Sequence, residues 1–220
     1  TLVDGVTLTM GAGAANAISM STVTGTASGS ASNLTINSTG AVTVSGAVGT
    51  DIGTITITNS GGTTFSSTVD AATVTLTNTT GTITFADSLT ATTLNTAAQA
   101  YNLALSGASG TITNAVTFSN TGTLTLGTSS GTLAFTGGLV ATAPSRVYLG
   151  GTITAADTGV LNIGAPVTVT EPLNATSIEI LVVGLYVPSA VDEVTPVTFG
   201  TTKFVTACVV KDGASFKAES

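Results

Sequence analysis

The residues of this chain that could do chemistry are few and scattered. Within residues 33–163 the carboxylates are Asp51, Asp70, Asp87 and Asp157. Paired carboxylates would serve general acid–base work on a sugar polymer, and a local run of them would hold calcium. Asp70 and Asp87 fall at different points of the repeat described below, so they do not form a pair. The adjacent acids Asp192 and Glu193 read as an incidental surface pair. There is no histidine. That removes Ser-His-Asp and Cys-His pairs and most zinc and copper sites. The single cysteine, Cys208, sits in the apolar stretch 204–210 and reads as a buried, reduced thiol. Glycines do not stand between a strand and a helix, so no phosphate-binding loop is expected. The expectation is no enzyme, with no catalytic, cofactor or metal residues and no cofactor.

What does recur is threonine. The sequence TITITNSGGTTFSSTVDAA (54–72) is followed by TVTLTNTTGTITFADSLTAT (73–92), and TLTLGTSSGTLAFTGGLVAT lies at 123–142. The last two copies are identical at nine of twenty positions at an offset of 50. A fixed period of this length marks stacked units that cannot each bury an apolar face alone. Shifting by 21 places Leu34 on Ile55, Ile36 on Ile57, Gly40 on Gly61 and Val48 on Val69. Shifting by 19 places Ile55 on Val74 and Ile57 on Leu76. A shift of 21 places Leu103, Leu105 and Ile112 on Leu124, Leu126 and Leu133. Residues 93–101 break the beat and read as an inserted loop or an extra short side.

Alternation fixes the local structure. Ile55 and Ile57 share one face of a strand, and Thr54, Thr56 and Thr58 share the other. Threonine suits the outward face because β-branching favours an extended backbone. Gly81, Gly110, Gly122 and Gly131 are expected at corners, where glycine reaches positive φ. Asn59 and Asn78 align and would form a short amide ladder. The fold class expected is all-β: a parallel β-solenoid, or β-helix, of coils of about 20 residues, with a C-terminal β cap or small β domain. Six or so coils at ~4.8 Å each would make a rod roughly 30 Å long. An antiparallel sandwich also fits strands every ten residues, and a membrane barrel fits less well.

Three segments are expected: an N-terminal strand and small-residue linker (1–32), the solenoid repeats (33–163), and a cap or assembly segment (164–220). The last holds four of the five prolines and three of the four basic residues. The opening TLVDGVTLTM has no basic region before an apolar one, so no signal peptide is expected in it, and an exported chain would here be in its mature form. The apolar run 178–187 is too short for a membrane helix and reads as a buried strand, so no membrane insertion is expected. A net charge of −7 gives no basic footprint for nucleic acid. No Lys or Arg precedes Arg146, so a trypsin-like protease has no site in the first 145 residues.

Stretches such as GTITNAVTFSNTGTLTLGTSSGTLAFTGGLVATAP resemble the β-strand repeats of bacterial exported proteins of the filamentous-haemagglutinin and autotransporter-passenger type. The resemblance covers residues 33–163 and carries no catalytic residues. It implies secretion or a cell-surface location, a rod-like solenoid, and adhesive or matrix-building work. The expected function is an extracellular structural protein, a subunit of a filament, surface layer or biofilm matrix. Its partner would be itself, joined through β-strand edges, with Leu2, Val3, Val6, Leu8 and Met10 as the assembly residues. The alternative is a monomeric adhesin, with surface glycans as partners, or an ice-binding module that uses Thr-x-Thr rows. A polysaccharide lyase ranks third, because such enzymes set Lys or Arg near their acids and only Arg146 is available in the repeats.

Overall fold

Alternating Ile/Val/Leu and Thr, broken by short stretches of Gly, Ser, Asn and Asp, gives short strands and tight corners rather than helices. A computed structural model describes residues 1–156, 159–175, 178–180 and 198–199, and it contains no helix among them. Each coil has three short strands, and every strand pairing is parallel to the coil before and after. About seven coils of about 21 residues stack into a β-solenoid with three faces.

The register follows single files of apolar residues. On the first face Leu8, Leu34, Ile55, Val74 and Leu94 stack in order, beside Met10, Ile36, Ile57, Leu76 and Thr96. On the second, Val44, Phe65, Phe85, Leu105, Leu126 and Leu149 stack. Phe65 and Phe85 lie face to face, 4.9 Å apart and 6° from coplanar. On the third, Val23, Val48, Val69 and Leu89 stack, followed by Ala91, Ile112, Phe135 and Ala155 two residues on. Ile55, Ile57, Val74 and Leu76 are wholly buried. The inner column inferred from the alternation is thus the core of the molecule.

Several details depart from the sequence reading. The copies at 73–92 and 123–142 do not lie on one face. Val74 stacks on the first face, whereas Leu124 pairs with Leu103 on the second. Fifty residues is two coils of about 21 and one further side, so the internal likeness is between sides rather than whole coils. Ile112 pairs with Phe135, not Leu133, because the intervening corner is longer by two residues. Residues 93–96 are no insertion: they complete the strand Leu89–Thr96 and pair with 73–76. Only 97–101 forms the corner, and there Tyr101 is buried completely.

The corner glycines also act differently from expectation. Gly81, Gly110, Gly122 and Gly131 do not have positive φ. A Cβ on Gly81 would sit 2.6 Å from the Gly61 oxygen, and one on Gly131 would sit 2.9 Å from the Gly107 oxygen. Gly81, Gly122 and Gly131 are glycine because the neighbouring coil's backbone passes too close for a side chain, whereas Gly110 lies inside the strand Ser109–Ile112, where a Cβ would first meet the Leu133 side chain at 2.9 Å. The expected amide ladder is replaced by hydroxyls. Ser38, Ser60 and Thr79 turn inward at the corner, and Ser60 Oγ lies 2.7 Å from Thr79 Oγ1. Among the described residues no side-chain hydrogen bond joins Asn59 to Asn78, and Asn78 is exposed.

The two expected segment boundaries move as well. The small-residue stretch before residue 33 contains the strands Ile18–Met20 and Val23–Thr24, which stack on Val42–Val44 and Val48–Gly49. It is the rest of the first coil and not a linker. At the other end the stack runs past residue 163: Val147 pairs with Val167, and Leu161–Ile163 pairs with Ile178–Ile180. Most of the expected cap, including Cys208, Asp192 and Glu193, lies outside the described residues, as does Asp157.

Candidate functional site

The carboxylates do not converge. Asp70 points outward on the third face, in file with Gly49 and Thr90. Asp87 Oδ1 accepts the Ser88 amide at 2.7 Å and closes a local turn. Asp51 occupies a left-handed corner (φ 63°) next to Thr50 (φ 53°), with its Oδ2 buried. Among the described residues no three His, Cys, Asp or Glu side chains gather where a metal ion could bind. Arg146 extends along the second face, and its Nη1 donates to Thr168 Oγ1 at 2.9 Å.

Two surfaces stand out instead. The first is the end of the stack at the first coil, which holds the five expected assembly residues. Thr7–Met10 is paired on one side only, to Asn33–Ile36, and among the described residues no strand lies along its outer edge. Leu2 precedes it, with its amide donating to the Thr24 carbonyl at 2.6 Å. Leu2, Leu8, Met10, Ile18 and Met20 are only half-buried, where their counterparts one coil down, Leu34, Ile36 and Val44, are fully covered. Val3 is 72% exposed and Val6 42%. Leu2, Leu8 and Met10 therefore form the uncovered end of the core, and Val3 and Val6 flank it. The sequence did not single out Ile18 and Met20, because they lie in a stretch too rich in small residues to show alternation.

The second surface is the outer side of the first face. Thr54, Thr73 and Thr93 form one file, and Thr35, Thr56 and Thr75 the next, partner by partner in register. Asparagines close the array. Asn95 Nδ2 donates to Thr75 Oγ1 at 3.4 Å, and Asn114 Nδ2 to Thr93 Oγ1 at 2.9 Å. Asn33 Oδ1 accepts the Thr54 amide at 2.9 Å. The sequence showed the Thr-x-Thr pattern but not which copies share a face, since that depends on corner lengths.

No family model, curated protein or solved structure matches this chain. The fold itself, a β-solenoid, is compatible with an adhesin or a structural protein.

Proposed function

We propose that this protein is a non-catalytic structural subunit of an extracellular or cell-surface assembly, a filament, surface layer or matrix, built by stacking copies end to end. The observation that carries this reading is the half-covered core at the first coil. Another coil laid on Thr7–Met10 and Ile18–Met20 would continue the parallel ladder and cover Leu2, Leu8 and Met10. Main-chain hydrogen bonds would give affinity, and alternate apolar side chains would set register. A head-to-tail contact of this kind does not close on itself and yields a filament. The threonine-rich first face and the lack of Lys or Arg before Arg146 suit an environment rich in proteases.

The test is the mass and shape of the purified chain, by light scattering and negative-stain microscopy. Polymers of the wild type are expected, together with folded monomers of the double variant Leu8→Arg, Met10→Arg. Removing residues 1–10 is a weaker test, because it would expose the edge of Ser32–Asn37 in its place. A wild type that stays monomeric at high concentration, or a double variant that still polymerises, defeats the proposal.

A further inference from the structure

The first face differs from the other two in a way that threonine's general suitability for strands does not explain. The second face carries one central outward file in which Thr43, Thr64 and Thr84 stack, but Ala104 and then Tyr148 interrupt it. The third passes through Gly49, Asp70 and Ala134. Among the described residues, flanking threonines on these two faces stack no more than two deep, as in Thr132 on Thr152, whereas the first face alone sets two uninterrupted files of three threonines side by side. Their spacing is set by the backbone: ~4.8 Å between coils and ~6.7 Å between files along each strand. No register shift interrupts the pairing of Thr54–Ile57 with Thr73–Leu76, or of that strand with residues 93–96.

The array is also held still and left unsatisfied. Leu34, Ile36, Ile55, Ile57, Val74 and Leu76 beneath it are wholly buried, and close-packed interiors of this kind do not yield. β-branching restricts each threonine at χ1. Among the described residues the hydroxyls of Thr35, Thr54, Thr56 and Thr73 make no hydrogen bond to protein, although Asn33, Asn95 and Asn114 bind at the borders. Each hydroxyl offers one donor and two acceptor positions.

A partner that meets all of these groups together must itself repeat in two dimensions. It must be neutral, since neither file contains a charged residue. A crystalline sugar polymer would be gripped through aromatic rings, and the outward positions of this face carry none. A water lattice needs only hydroxyls that both donate and accept, separated by small apolar groups, and threonine supplies each. We propose that the first face, centred on Thr54, Thr56, Thr73 and Thr75, binds ice. The face works through many weak contacts at once, so its affinity fails when flatness prevents simultaneous engagement. This property is independent of end-to-end stacking.

The experiment uses the full chain. Inhibition of ice recrystallisation and partition into slowly grown ice are measured for wild type, for Thr56→Tyr and Thr73→Tyr, and for Thr43→Tyr and Thr84→Tyr on the second face. Tyrosine is a good strand residue, and circular dichroism confirms folding. The wild type is expected to enter the ice and the second-face variants to match it. The first-face variants are expected to lose at least roughly tenfold in potency. A wild type that remains in the liquid overturns the proposal, and so does equal loss in both sets of variants. Sedimentation with microcrystalline cellulose or chitin, without partition into ice, also overturns it and assigns the face to a sugar polymer.

Discussion

Gly122→Ala tests the closeness of the coils directly. Residue 122 does not have positive φ, so alanine suits its backbone conformation. The obstacle is the neighbouring coil. An added Cβ would fall inside the contact distance of the Tyr101 carbonyl oxygen, 2.6 Å from the Tyr101 carbonyl carbon and 2.7 Å from Asn102 Oδ1. Two of the three are main-chain atoms and cannot rotate away. The third accepts the Thr123 amide at 2.8 Å and the Thr123 hydroxyl at 3.0 Å, so moving it breaks a bridge between coils. Overpacking of this kind costs about 1–3 kcal/mol, and a lost hydrogen bond about 0.5–1.5 kcal/mol. The lower entropy of unfolded alanine returns about 0.4–1 kcal/mol. A net loss of about 0.5–4 kcal/mol follows, which lowers the melting temperature of a chain this size by about 1–16 °C. The control is Gly13→Ala, where a Cβ meets nothing within 4 Å and only the positive φ of 75° is penalised. Thermal unfolding followed by circular dichroism reads both. If Gly122→Ala melts at or above the wild-type temperature, the coils are not stacked as closely as described.

Ile57→Ala removes a wholly buried side chain between Ile36 and Leu76 and is expected to cost about 2–5 kcal/mol in chemical denaturation, against at most about 0.5 kcal/mol for the outward Thr56→Ala. Tyr101 is fully buried, and that burial pushes its phenol up to about 12 from an ordinary 10.0. The fold therefore favours the neutral ring. Its contribution to stability is constant below the unfolded value and is lost as pH rises from 10.0 to about 12. Denaturation midpoints across that range, with phenolate absorbance as a second signal, check the sign; in Tyr101→Phe the pH dependence from this ring should vanish.

The fold was legible in the sequence wherever alternation is strict. Leu34, Ile55 and Val74 were placed correctly by shifts of 21 and 19, because the corners between them keep nearly constant length. Corners that vary hide the register. Leu8 and Leu34 pair across 26 residues, and a small-residue stretch lies between them. The end of the stack was misplaced because Pro166 changes the composition but not the topology. Pro166 lies just before the strand Val167–Ala175, a position that needs no ladder donor. Within that strand the register shifts between Val169 and Leu173, the stretch that contains Pro172. The assembly residues were half legible, since Leu8 and Met10 alternate while Ile18 and Met20 do not. The threonine array was visible as a motif, but its confinement to one face required the corner lengths.

The placement of charge joins the two proposals. Natural sheet edges are guarded against pairing by charges, proline or bulges. At the first coil the one charged side chain is Asp4, beside the exposed Val3 and Val6. An end so lightly guarded is poorly protected against its own kind, while the first face, whose threonine files hold no charged residue, attracts no charged partner. The ends and the faces are therefore separable by mutation. Arginine at positions 8 and 10 should abolish polymers and leave ice partition unchanged. Tyrosine at positions 56 and 73 should do the reverse. If either variant loses both properties while its melting temperature is unchanged, the ends and faces do not act independently, and polymerisation itself must build the ice-binding surface.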